Sequence, residues 1–425
     1  MPPLQPGEPV LIVSHTFPPF RGIGGRRWAK LAKELARRGH PVHVVHADQG
    51  AGLKGSLWDS DVQHPLIERH ALPMRYPQVL MKRPLASVME KLAYRYWVKV
   101  LPLIVRGNIF DRSVRWGPLL VPKCDALIAQ HGIKHVIATG PPFALLHHLL
   151  GSKQRANVRL LADFRDPWTW GEVYGRSSMS SAQREAENKL EREVMAGYDR
   201  ITTPSPFILA HLQKTYPQYA AKCSLLPHVI DPDELVLGER PAPDGQLRFI
   251  YAGSCYNGPG FSAYLHEVIK AFTAVQHKAP ERWRRASFDL YITGHDVQPW
   301  QRAVAEAGQH ERIRFNRPVA AKELFPLIQR ADLVLAYMPP EKRDFVSTKF
   351  NEIAYIGTAV LHVGEAGGLS QHVLALSMGG TCAVNEVAKR LEQIISGDLN
   401  VVNNRIHKAQ EHTLGAVCDA LLALN

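Results

Sequence analysis

Arg343-Asp344-Phe345-Val346-Ser347-Thr348-Lys349-Phe350-Asn351-Glu352-Ile353-Ala354-Tyr355-Ile356-Gly357-Thr358-Ala359-Val360 is the stretch on which the fold turns. Before it, Leu333 to Tyr337 reads as a buried strand that Pro339-Pro340 ends. Ser347 or Thr348 is placed to cap a helix N-terminus. Gly357 closes that helix, and Thr358 to Val363 starts another strand. Strand, helix and strand within ~30 residues predict a right-handed βαβ unit with parallel strands. A helix start beyond a strand end carries free N–H groups and about half a positive charge, which suits a diphosphate. Lys349 adds a full charge there, and Glu352, one turn on, can accept hydrogen bonds from two ribose hydroxyls. A capping carboxylate and a surface lysine would have the same spacing.

The same rhythm extends both ways. Upstream, Val10 to Ser14 is a strand, Gly22-Ile23-Gly24-Gly25 a glycine turn, and Arg26 to Gly39 has helical apolar spacing. Further strands are expected at 41–47, 135–138, 159–162, 200–203 and 224–227. Pro232, Pro241, Pro243, Gly238 and Gly245 mark a linker. The pattern restarts at Leu247 to Gly253, with Gly294 after a second strand. The expected class is α/β, with two Rossmann-like, doubly wound parallel sheets facing a cleft. The boundaries predicted are a first domain over 1–231, a linker over 232–246, a second domain over 247–402, and a closing helix over 403–425 that packs back on the first domain.

Five cysteines, odd in number and without a CxxC pair, suggest reduced core thiols. No apolar run approaches the ~20 residues that span a bilayer. A strand beginning at Val10 leaves no room for a secretory leader, so a cytoplasmic protein is expected. The net charge of +12 is unevenly placed. Ten basic residues and two acids lie between Arg69 and Arg115, interleaved with Leu92, Tyr96, Trp97 and other apolar residues. That mixture suits an anionic membrane surface or an anionic acceptor, and no motif points to nucleic acid. His131 and His135 stand four apart, but Gly132 breaks the helix between them, so no metal site is expected.

Several segments together resemble the family 4 retaining glycosyltransferases of the GT-B fold, in their bacterial surface-polysaccharide branch. They are Val13 to Arg27, Thr139-Gly140-Pro141-Pro142, Ala162 to Thr169, Thr203-Pro204-Ser205, Tyr251 to Ser254, Tyr291 to Gly294, and the acidic-x7-Glu spacing of Asp344 and Glu352. The resemblance implies sugar transfer from a nucleotide diphosphate sugar, UDP or GDP linked, to a glycan or lipid-linked acceptor. It also implies retention at the anomeric carbon, no metal and no separate cofactor, and work at the inner face of the membrane.

By the same resemblance, Glu352 binds the ribose, and Lys349, Ser347 and Thr348 hold the phosphates. Asp344 meets the transferred sugar, while Gly24, Gly25, Gly253, Ser254 and Gly294 allow close backbone approach. Two departures stand out. Gly253 to Gly260 lacks the family's Arg and Lys clamp, for which Lys349, Arg343, Arg165 or backbone groups alone can substitute. Thr139 to Pro142 lacks a histidine, so Asp163, Arg165, Asp166 and His15 become the catalytic candidates. Asp166-Pro167 also suits a simple turn, and His15 a packing role. The departures leave open a catalytically silent glycan- or partner-binding protein. A sugar-nucleotide epimerase shares the architecture.

Overall fold

The computed structural model describes residues 4–424 except 83, 172–178, 236, 241, 256, 257, 295, 344, 345, 347 and 401–406. Two compact units emerge, Met1–Val229 with Leu414–Asn425, and Ile230–Thr413.

The first unit is built from β1 (Val10–Ser14), α1 (Arg26–Arg37), β2 (Val42–Asp48), β3 (Ile67–Pro73), α2 (Val88–Ile104), α3 (Gly117–His131), β4 (His135–Gly140), α4 (Ala144–Leu149), β5 (Arg159–Phe164), α5 (Ser181–Gly197), β6 (Arg200–Thr203), α6 (Pro206–Thr215) and β7 (Cys223–Leu225). Among the described residues its sheet has seven parallel strands in the order β3-β2-β1-β4-β5-β6-β7. The order reverses between β1 and β4, and both strands are buried along their whole length. They read as apolar runs because helices cover both faces.

The second unit follows with β8 (Leu247–Ser254), α7 (Gly258–Lys278), α8 (Pro280–Arg285), β9 (Ala286–Thr293), α9 (Gln298–Glu306), β10 (Ile313–Asn316), α10 (Ala321–Arg330), β11 (Leu333–Tyr337), α11 (Thr348–Ile356), β12 (Ala359–Val363), α12 (Gly368–Ala375), β13 (Gly379–Cys382) and α13 (Val387–Ser396). Its sheet has six described strands, all parallel, in the order β10-β9-β8-β11-β12-β13, reversing between β8 and β11. Phe288, Leu290 and Ile292 alternate inward along β9 and join Phe249, Tyr264 and Phe272 in one core.

Two segments mark the edges of the second unit. Residues 237–240 pack within the second unit instead of trailing as a linker. Arg240 donates to the Gln329 carbonyl at 3.0 Å and to Thr358 Oγ1 at 3.0 Å, and Gln329 donates to the Gly238 carbonyl at 2.7 Å. Turn-forming residues signalled a break in regular structure, not a break in packing. The closing helix, α14 (Leu414–Leu424), belongs to the first unit, as expected of a segment that packs back on it. Leu414, Val417, Cys418 and Leu421 share a core with Trp28 and Leu31 of α1. Arg38 donates to the Gly415 carbonyl at 3.0 Å.

All five cysteines are buried and unpaired. No helix among the described residues is long and apolar enough to cross a membrane.

Candidate functional site

In open α/β sheets, ligands sit beyond the C-terminal strand ends where the strand order reverses. In the second unit that point lies between β8 and β11. β8 runs into Gly253 at φ 142, a backbone conformation that glycine adopts freely. Lys349, in the first turn of α11, donates from Nζ to the Ala252 carbonyl at 2.7 Å. A Cβ on Gly253 would lie 2.9 Å from that ammonium, so the missing side chain makes room for it. The ammonium lies 5.9 Å and 5.8 Å from the Tyr251 and Phe350 ring centres, within range of the aromatic quadrupoles. Burial lowers its pKa to about 8, against the opposing pull of the Glu352 carboxylate. Glu352 is itself buried. Gly294 follows β9 at φ 77. Thr348 opens α11, whose first N–H groups have no partner within the helix. Asp344 and Ser347 lie outside the described residues.

A second glycine run went unnoticed in the sequence. Gly364 to Gly368 follows β12, the neighbour of β11. A Cβ on Gly364 would stand 2.6 Å from the Met338 carbonyl oxygen, and one on Gly367 2.9 Å from that of Arg343. Leu369 N–H donates to the Arg343 carbonyl at 2.9 Å, which ties the start of α12 to the loop before α11. His372 and Asn351 join α12 to α11 at 2.8 Å. Two helix N-termini are thus fixed at adjacent strand ends. The readable signal was three glycines within five residues after a buried strand. Arg343, one substitute for the absent clamp, pairs with Glu365 at 2.9 Å.

In the first unit, the glycine loop after β1 and the Gly140-Pro141-Pro142 loop after β4 flank the β1–β4 reversal. Arg165, just beyond β5, donates to the carbonyls of Gly24, Gly140 and Pro141. It therefore fastens the two loops together. A Cβ on Gly24 would lie 2.8 Å from Arg165 Nη1, while one on Gly25 would press on the Thr16 carbonyl oxygen at 3.0 Å and Phe17 Cα at 3.2 Å.

Asp163 does not reach out to a ligand. Its carboxylate is fully buried and accepts from Arg27 through Nε and Nη2 at 3.2 Å each, from Trp28 Nε1 at 2.7 Å, and from Thr139 and Thr202 hydroxyls at 3.0 Å each. Five donors saturate it, so the geometry makes it an anchor that ties α1, β4 and β6 to β5. Asp166 is half-buried and internally engaged. His15 is buried, and its ring meets Trp116 edge-on at 5.3 Å. Burial, then the Arg112 charge, pushes its pKa down to about 3, so the ring is neutral.

Asp111 was missed, having been counted there merely as a charge. It accepts from the backbone N–H groups of Phe143 at 2.6 Å and Ala144 at 3.0 Å, and from Ser113 N–H at 2.8 Å. The start of α4 is therefore occupied by the chain's own carboxylate. Nothing local in sequence announces this, since Asp111 and Phe143 are 32 residues apart.

Residues 24–234 match the sequence model of Glycosyltransferase Family 4. No curated protein sequence matches the chain. Among solved structures, a glycosyltransferase from Rickettsia africae ESF-5 superposes with a TM-score of 0.61 at 11% identity, covering 98% of this chain and 97% of that one. A sucrose-phosphate synthase from Thermosynechococcus elongatus gives 0.55 at 16% identity, with 98% and 95% covered. The UDP-GlcNAc 2-epimerase from Neisseria meningitidis, bound to UDP-GlcNAc, gives 0.56 at 10% identity, with 98% and 99% covered. At such identities the likeness is one of fold. With two parallel sheets of GT-B type and this match across its first unit, the chain carries a Glycosyltransferase Family 4 domain over residues 24–234.

Proposed function

We propose that this glycosyltransferase moves a sugar from a nucleotide diphosphate donor, UDP or GDP linked, to a glycan or lipid-linked acceptor, with retention at the anomeric carbon and no metal ion in the transfer step. The observation that carries the donor half is Lys349, held at 2.7 Å from the Ala252 carbonyl at the β8–β11 reversal. A partly desolvated ammonium beside the N-terminus of α11 is a seat for a diphosphate. Glu352, buried one turn further along α11, is the ribose ligand.

The acceptor half rests on the first unit. A cavity of about 590 Å³ opens beyond β2 and β3, lined by Arg75, Tyr76, Trp97 and Arg115 among others. Arg115 lies 5.8 Å from the Trp97 ring centre. Aromatic faces suit a sugar, and two guanidinium groups suit a phosphate. Trp97 belongs to α2, whose Val88, Met89, Leu92, Tyr96, Leu103 and Ile104 are exposed alongside Lys91, Arg95 and Lys99. That helix fits the interface of an anionic membrane, which supports a peripheral enzyme of bacterial surface-polysaccharide synthesis at the cytoplasmic face.

Calorimetric titration of UDP, GDP, ADP and CMP into wild type and Glu352→Ala, with and without Mn²⁺, tests the donor site. Selective, Mn²⁺-independent binding that weakens by about 1.5–3 kcal/mol in the variant is expected. No binding to any nucleotide would favour a silent binding protein. The likeness to an epimerase fold gives a second reading. Product analysis without acceptor separates the two, because an epimerase converts the donor sugar unaided.

A further inference from the structure

A group of titratable side chains lies away from the loops described above. His43 is the second residue of β2, and Glu68 and His70 lie in the first half of β3. The register pairs His43 with Glu68 and Val45 with His70, so all three side chains leave the sheet on one face. His131, the last residue of α3, brings its ring to 4.1 Å from that of His43, centre to centre. These positions are towards the N-terminal ends of the strands, opposite to the end where the loops of the β1–β4 reversal gather.

The ligand atoms of these side chains lie close together. His43 Nδ1 lies 3.4 Å from His70 Nε2 and 3.3 Å from a Glu68 carboxylate oxygen, and His70 Nε2 lies 3.7 Å from the other oxygen. One ligand atom each from His43, Glu68 and His131 falls within 4.8 Å of the others. Ligands about 2.0–2.1 Å from a tetrahedral ion stand about 3.3 Å apart, the spacing seen around His43 Nδ1. Two imidazole nitrogens at 3.4 Å form at best a long hydrogen bond, with a single proton between them. A metal ion would satisfy both lone pairs at once. Burial first, and the Lys123 charge on α3 after it, disfavour the charged imidazole at His43 and His70, and the Glu68 carboxylate opposes both.

We propose that His43, Glu68 and His131 form a binding site for a zinc-class divalent ion that braces β3, the edge strand, against β2 and the end of α3, with His70 beside it. Two imidazoles and a carboxylate suit Zn²⁺, and Co²⁺ as its spectroscopic substitute. The site is independent of the donor reading, since it shares no residue with the β8–β11 reversal.

The test uses full-length protein free of any affinity tag, stripped of metal and titrated with Zn²⁺ or Co²⁺. One Zn²⁺ per chain, a rise in melting temperature, and the intense visible absorption of tetrahedral Co²⁺ are expected. Substituting His43 risks the fold because it is buried, so the variant is Glu68→Gln with His131→Asn, both outside the core. With its circular dichroism unchanged, this variant should bind at least about tenfold more weakly and lose the tetrahedral Co²⁺ spectrum. Absence of stoichiometric binding in the wild type, or equal affinity in the variant, would overturn the proposal.

Discussion

Lys349 Nζ stands 2.7 Å from the carbonyl oxygen of Ala252, so a side chain of α11 spans the reversal between β8 and β11. Its pKa is lowered to about 8 by burial. An arriving diphosphate favours the charged form and raises that pKa, so binding takes up a proton above pH 8. Affinity for UDP or GDP should hold below pH 8 and fall as the pH rises through it, by up to about tenfold per unit. Calorimetry across pH 6.5 to 10 should show the bend in wild type and none in Lys349→Met. A bend that survives in the variant would assign it to another group.

Asp163 accepts five hydrogen bonds inside the first unit. Asp163→Ala leaves the Arg27 guanidinium buried without its counter-charge. We expect a loss of about 3–5 kcal/mol in chemical denaturation. A change below 1 kcal/mol would mean that the surrounding hydroxyls and water replace the carboxylate easily.

Gly24 and Gly25 should respond differently to alanine. At Gly25 the added methyl meets backbone, which has no freedom to withdraw, and a cost of about 1–3 kcal/mol is expected. At Gly24 it meets the guanidinium of Arg165, which can swing away. Gly24→Ala should then melt close to wild type while loosening the loop after β1. Hydrogen exchange of residues 20–25 measures that loosening, and equal melting temperatures for both variants would remove the distinction.

Charge reversal at Lys91 and Arg95 probes α2. Each basic residue near an anionic surface is worth about 1 kcal/mol, so the double variant should sediment markedly less with phosphatidylserine vesicles at low salt. Unchanged sedimentation would turn the apolar face of α2 into a question about protein partners.

Much of this architecture was legible because buried parallel strands are apolar runs, as at Val10–Ser14 and Leu333–Tyr337. β3 escaped notice because an edge strand carries charge, here Glu68 and Arg69. β13 begins Gly379-Gly380 and offers no apolar run at all; a Cβ on Gly379 would come within 2.1 Å of the Val360 carbonyl oxygen. Lys349 and Glu352 could be picked out because they are local to one helix start. The engagement of Asp163 with Arg27 spans 136 residues, and the approach of His131 to His43 crosses from a helix to a strand, so neither leaves a mark in spacing.

The return of α14 to the first unit has a consequence for synthesis on the ribosome. The core around Trp28 stays incomplete until Leu414 to Leu421 have been made, and the 184 residues of Ile230–Thr413 come first. At bacterial to eukaryotic elongation speeds that is a delay of roughly ten to forty seconds. During it, the nascent first unit exposes the apolar groove on α1 that α14 will fill. Chaperone occupancy on the nascent chain should therefore persist past residue 229 and end once Leu414 to Leu421 have emerged.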